Sequence, residues 1–154
     1  MHNHLARYSL LFLLALFPAH VFSQDDGAAQ TGVVKLELSG LSDASGNIYI
    51  SVYNSEDSWL GADTLVTEKV AIADALEGEL VLAELPLPPG EYAISIFYDL
   101  NNNGELDTNF IGIPKEPVAL SNNARPSFGP PKYKDAKFTL GNEPVVQRIS
   151  IEAI

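Results

Sequence analysis

The sequence predicts an all-β fold, a single antiparallel β-sandwich of about seven strands with one long proline-rich loop. Three observations carry this expectation. Apolar residues alternate with polar ones in short runs, the mark of strands with one buried face. Turn-forming residues stand between those runs: Ser45-Gly46-Asn47, Glu77-Gly78, Pro88-Pro89-Gly90, Asn103-Gly104 and Gly141-Asn142. No stretch shows convincing helical periodicity, and the 154 residues show neither an internal repeat nor a second domain.

In chain order, residues 1–23 have the three parts of a secretory signal peptide. Arg7, with His2 and His4, makes a weakly positive start. Leu10 to Phe17 is an unbroken apolar run ended by Pro18, and Val21 and Ser23 offer short side chains for cleavage after Ser23. The run is too short to span a bilayer, which takes about 20 apolar residues. No Cys is present to carry a lipid, so the expected location is periplasmic or secreted, without a membrane span. Residues 24–31 are a polar, flexible lead-in, and residues 32–154 form the sandwich domain.

Within that domain, Val34, Leu36 and Leu38 mark the inward face of a first strand, and Ile48, Ile50 and Val52 that of a second. Val66, Val70 and Ile72 share one side of residues 65–73, although Glu68 interrupts it. Leu80 and Leu82 form a short run before Leu85. Tyr92, Ile94, Ile96 and Tyr98 give the cleanest alternation; Phe138 and Leu140 make another short run. Val145, Gln147, Ile149 and Ile151 close the chain. Residues 55–63 read as one helical turn capped by Ser55, with Trp59 and Tyr53 as a buried lid over the sandwich end. Residues 111–134 break the rhythm with five prolines. Phe110, Phe128 and Tyr133 there favour an ordered loop packed on the sandwich.

Charge and composition narrow the chemistry. The formal net charge is −11, and loss of Arg7 with the signal peptide makes it one unit more negative. Nucleic acid and anionic membrane are thereby disfavoured as partners. Residues 56–107 carry twelve acids against Lys69, whereas residues 112–137 carry five bases against Glu116 and Asp135, so the later segment is read as neutralising the earlier one. There is no Cys, and all three His (His2, His4, His20) lie in the signal peptide. The exported chain then has no imidazole base, no thiol nucleophile and no imidazole or thiolate metal site. No G-x-S-x-G is present either. The chain is therefore expected not to be an enzyme. A carboxylate-dependent hydrolase of a sugar or ester, using Asp99 and Asp107, is the alternative, with a small-ligand carrier as a third reading.

One constellation carries chemistry. Residues 99–107 read D-x-N-x-N-G-x-x-D, with oxygen side chains at the first, third and fifth positions and Gly104 at the sixth. This repeats the first half of an EF-hand calcium loop, in which a tight turn lets alternate side chains converge on a hard cation. The candidate ligands are the side chains of Asp99, Asn101, Asn103 and Asp107 and the carbonyl of Glu105. Position twelve, a bidentate Glu in an EF-hand, is Phe110, so the remaining ligands would come from elsewhere in the chain or from water. The competing reading is a metal-free type I′ turn at Asn103-Gly104, with Asp99 and Asn101 capping their own backbone.

These motifs together resemble a family of secreted bacterial proteins, domain of unknown function 2141. The resemblance rests on Gly46 to Tyr53, on Leu87-Pro-Pro-Gly90-Glu-Tyr92-Ala93, and on the 99–107 loop. It extends through Gly112-Ile-Pro114-Lys-Glu116-Pro, Ser121-Asn122-Asn123-Ala and Phe128-Gly-Pro-Pro131 to Asp135-Ala136. It implies an exported, all-β protein without an assigned activity. The Pro-Gly-x-Tyr turn also looks like that of transthyretin-like and carboxypeptidase-regulatory sandwiches, so the sandwich is expected to be immunoglobulin-like or transthyretin-like. Transthyretin-like hydrolases of urate breakdown depend on His, which residues 24–154 lack. The expected role is a calcium-stabilised binding or envelope-associated module whose partner is a cell-envelope protein or glycan.

Overall fold

A computed structural model describes residues 31–41, 45–127 and 129–152. The predicted signal peptide, its cleavage site and all of the lead-in except Thr31 lie outside the described residues, as does Phe128. The strands are β1 (Gly32–Ser39), β2 (Asn47–Tyr53), β3 (Val66–Ala71), β4 (Leu76–Glu77), β5 (Leu80–Leu87), β6 (Gly90–Asp99), β7 (Val118–Leu120), β8 (Phe138–Leu140) and β9 (Val145–Ser150). Two single-turn helices, α1 (Ile72–Ala75) and α2 (Tyr133–Ala136), and a 3-10 turn at Ser121–Asn123 complete the described elements. One sheet runs β4-β5-β1-β9, and the other runs β3-β2-β6-β7 with β8 also paired to β6.

The alternation read from the sequence decides most of the side chains that meet between the sheets; in β5 the reading is off by one, since Val81 is buried and Leu80 and Leu82 are only half-buried. Val34, Leu36 and Leu38 of β1, with Val81, Leu85 and Leu87 of β5 and Ile149 of β9, pack against Ile48, Ile50 and Val52 of β2 and Ile94 and Ile96 of β6. Burying one such side chain stabilises by roughly 1.5–3 kcal/mol. The register Ile50↔Ile96 sets two of them side by side in the second sheet. β6, the central strand of that sheet, pairs with β2 along one edge, and with β7 and then β8 along the other.

Four expectations need correction. The sheets are not purely antiparallel, because β9 lies parallel to β1 with Leu36 opposite Gln147. β9 follows β8 of the other sheet and so arrives by a crossing rather than a hairpin, which frees its direction. Residues 111–134 are not an unbroken loop: they contain β7, the 3-10 turn and the start of α2. Residues 55–63 form turns rather than a helix, although Ser55 Oγ does accept the Ser58 N–H at 3.3 Å. The third strand stops at Ala71, and Ile72, fully buried, begins α1 instead.

The second sheet is also covered on its outer face at one end. Tyr53, Ala93, Leu120, Tyr133 and Ala136 form a separate buried cluster with Trp59, Val118 and Ala124 against it. Ser121 fastens this cover: its fully buried Oγ accepts the Ile94 N–H at 2.9 Å and donates to the Ala136 carbonyl at 2.6 Å.

Candidate functional site

β6 ends on Asp99, and the chain turns there into the 99–107 loop. Asp99 is only 1% exposed. Its Oδ1 accepts the Asn103 N–H at 3.2 Å and its Oδ2 the Gly104 N–H at 2.9 Å, which curls the loop back over its own first residue. Asn101 Oδ1 accepts the Asn103 N–H at 3.0 Å, and Asn103 Oδ1 accepts the Glu105 N–H at 2.8 Å. Short polar side chains that bond the backbone two residues on are the favoured way to stabilise such turns. Across the loop, Asn101 Nδ2 donates to Asp107 Oδ2 at 2.6 Å. The structure thus brings Asp99, Asn101, Asn103 and Asp107 into one hydrogen-bonded set, with Glu105 contributing backbone to it.

Of the competing reading one part forms and one does not: Asp99 and Asn101 do cap the loop's own backbone, but the turn at Asn103-Gly104 is not of type I′. A type I′ turn needs positive φ at both central residues. Here the positive values fall on Asn102 (58°) and Gly104 (82°), not on Asn103. Asn102 points away from the loop interior, its Oδ1 accepting from Asn47 Nδ2 at 3.1 Å. Gly104 is favoured by its positive φ, and a Cβ there would press on the Tyr49 hydroxyl at 3.3 Å.

Sequence reasoning gave Glu116 no role in the loop, counting it in the charge balance and within the family's proline-segment motif. Its carboxylate is 2% exposed and clamps both ends of the loop: Oε1 accepts the Leu100 N–H at 2.8 Å and Oε2 the Asp107 N–H at 3.0 Å. Its flanking prolines, Pro114 and Pro117, were the only local hint that the segment is held in a set conformation. Among the described residues, the ion pairs are Lys35–Glu84, Arg125–Glu152, Lys137–Glu91 and Arg148–Glu37, so Asp99, Asp107 and Glu116 have no basic partner. Backbone N–H groups offset Asp99 and Glu116, and the Asn101 side-chain amide offsets Asp107.

The donor set is all oxygen, which suits a hard cation. Among the described residues, no three acidic side chains come close enough to hold a metal by themselves. Glu116, with both oxygens accepting backbone N–H groups, anchors the loop. A cation here would draw on the carboxylates of Asp99 and Asp107, the amide oxygens of Asn101 and Asn103, the Glu105 carbonyl, and water. Phe110, at the twelfth position, is 98% exposed and supplies nothing.

Elsewhere, Trp59 packs edge-on against Tyr53 (centroids 5.2 Å apart) and Tyr133 (5.9 Å), and its Nε1–H donates to the Pro131 carbonyl at 2.8 Å. These aromatics form the cover over the outer face. Burial pushes the Tyr53 and Tyr133 hydroxyls above their ordinary pKa, Tyr133 with help from the nearby negative charge of Glu91. The expected pairing of basic and acidic segments is realised at Lys137 and Glu91, 2.9 Å apart. Tyr133 is buried as expected, but Phe110 is not packed on the sandwich: its loop points it outward.

These features define a class: an all-β protein of two facing sheets with an acidic, oxygen-rich loop closing its central strand. No curated protein and no solved structure matches the chain. It belongs to the DUF2141 family of uncharacterised proteins conserved in bacteria, whose model matches residues 36–148, from within β1 to within β9.

Proposed function

We propose that this protein is an exported, non-catalytic β-sandwich, of immunoglobulin-like or transthyretin-like type, that takes up calcium in the 99–107 loop and serves as a binding module of the cell envelope. The signal-peptide pattern of residues 1–23 supports export. The absence of His and Cys from residues 24–154 supports a non-catalytic role. The observation that carries the calcium reading is the buried Asp99 without a basic partner, at the head of a loop already curled so that four oxygen-bearing side chains share one hydrogen-bonded set. The hydrolase alternative has less support, since both oxygens of Asp99 already accept backbone N–H groups.

Two carboxylates, two amides and a carbonyl are a low-charge set, which places the dissociation constant at about 10⁻⁴–10⁻³ M, the range of extracellular calcium modules. Titration calorimetry on chelator-stripped residues 24–154, which contain every described element, tests this. Binding to the folded state should stabilise by about 2.7 kcal/mol at a hundredfold excess over the dissociation constant. Asp107→Asn should weaken the heat while leaving the fold intact. No heat and no rise in Tm in millimolar calcium would sink the reading.

A further inference from the structure

Immediately after the calcium-type loop, residues 107–115 double back as a small hairpin. Thr108 bridges Pro114, the Asn109 N–H bonds the Ile113 carbonyl at 2.8 Å, and the Lys115 N–H bonds the Asp107 carbonyl at 2.8 Å. Its tip is apolar and bare. Phe110 is 98% exposed, Ile111 64% and Ile113 54%, and residues 108–114 carry no charge in a chain whose net charge is −11. Scattered single apolar residues on a surface need no explanation, but three large ones on one projecting turn do.

Asn109 fixes the turn at this tip. Asn109 Oδ1 accepts the N–H groups of both Ile111 and Ile113 at 3.0 Å, and the Asn109 carbonyl accepts the Gly112 N–H at 3.0 Å. Gly112 makes the turn with φ of 81°. The N–H groups of Asn109, Ile111, Gly112 and Ile113 are therefore all bonded within the tip. Lys115 stands at the base of the hairpin, beside a hollow of ≈170 Å³ that it lines with Leu100, Tyr98 and Pro117, and it enters no ion pair among the described residues.

We propose that residues 108–114 are a membrane-docking tip, in which Phe110, Ile111 and Ile113 enter the interfacial layer of a zwitterionic phospholipid bilayer. Lys115 then lies at headgroup level, its ammonium complementary to the lipid phosphate. A convex tip suits a bilayer, which yields around it, better than it suits a protein pocket, which must match its shape. The negative charge of the rest of the chain confines the contact to this uncharged segment and selects against anionic lipid. The tip is ordered by its own hydrogen bonds, so the proposal stands apart from calcium uptake.

Flotation of residues 24–154 with vesicles of phosphatidylcholine and phosphatidylethanolamine, in the presence of chelator, tests it separately from the calcium reading. The wild-type protein should float with the vesicles, and Phe110→Asp and Ile111→Asp should each lower partitioning by at least about tenfold. Leu65→Asp, an exposed apolar site outside the tip, should float as the wild type does. All three variants should keep the wild-type Tm, since none of these side chains is buried. Absence of flotation by the wild type, or equal flotation by Phe110→Asp, overturns the proposal. So does a lipid-free dimer that Phe110→Asp dissolves, which assigns the tip to a second copy of the chain.

Discussion

Glu116 shows how one side chain can hold a loop whose own sequence cannot close it. Its two oxygens accept the N–H groups that open and close the loop, at Leu100 and Asp107. Glu116→Ala leaves both donors without an acceptor, and each unsatisfied donor costs about 1–3 kcal/mol. Urea denaturation should therefore show a loss of about 2–6 kcal/mol, with Glu116→Gln, whose carbonyl can still accept one of the two, losing about half as much. A loss under about 0.5 kcal/mol for Glu116→Ala, the scale of ordinary surface changes, would show that the clamp carries no weight. At this scale the sequence is legible where chemistry is local. The spacing of Asp99, Asn101, Asn103 and Asp107 announces the loop, because each bonds to backbone within a few residues. Glu116 lies 16 residues from Leu100 and 9 from Asp107, and no local rule reaches that far.

Among elements, strands announce themselves when they are long enough to alternate. β1, β2 and β6 span several repeats of the period, and their inward residues were readable one by one. β7, with three residues, has no period to read, so it was absorbed into the proline segment. The cover formed by residues 55–63, the 3-10 turn and α2 was half legible: its aromatics suggested a lid, but not that the lid lies on the outer face of a sheet. Its pH response follows from Tyr53 and Tyr133, whose hydroxyl pKa values folding raises chiefly through burial. In the unfolded chain both ionise near pH 10, whereas the folded chain keeps their protons to higher pH. The unfolded state then binds fewer protons, and stability falls as pH rises through that window. Lys137, raised by Glu91, acts in the same direction. Denaturant titrations from neutral to strongly alkaline pH should show this decline. Tyr53→Phe with Tyr133→Phe should flatten it without abolishing it, and an unchanged slope would remove the two tyrosines as its cause.

For the whole molecule, the two-layer character was legible because one face of each long strand is apolar; strand direction was not, because alternation reads the same along a parallel strand as along an antiparallel one. That is why the parallel β1–β9 pair was missed. Charge is also a property of this scale, and it separates two effects of salt. With twelve acids against one lysine in residues 56–107, the folded chain repels itself, and monovalent salt should raise Tm gradually by screening, without saturating at one ion per chain. The proposed uptake of calcium would add a different response, a saturable increment from occupation of the loop. Magnesium demands near-octahedral ligands at about 2.0–2.1 Å and gives up its water reluctantly, so an amide-rich loop favours calcium over it. At fixed ionic strength, exchanging sodium for calcium should raise Tm further, exchanging it for magnesium should not, and Asp107→Asn should remove the calcium increment while keeping the response to sodium. An equal rise with magnesium would reduce the calcium effect to screening of the acidic surface, and the 99–107 loop would then be a turn held by its own side chains and Glu116.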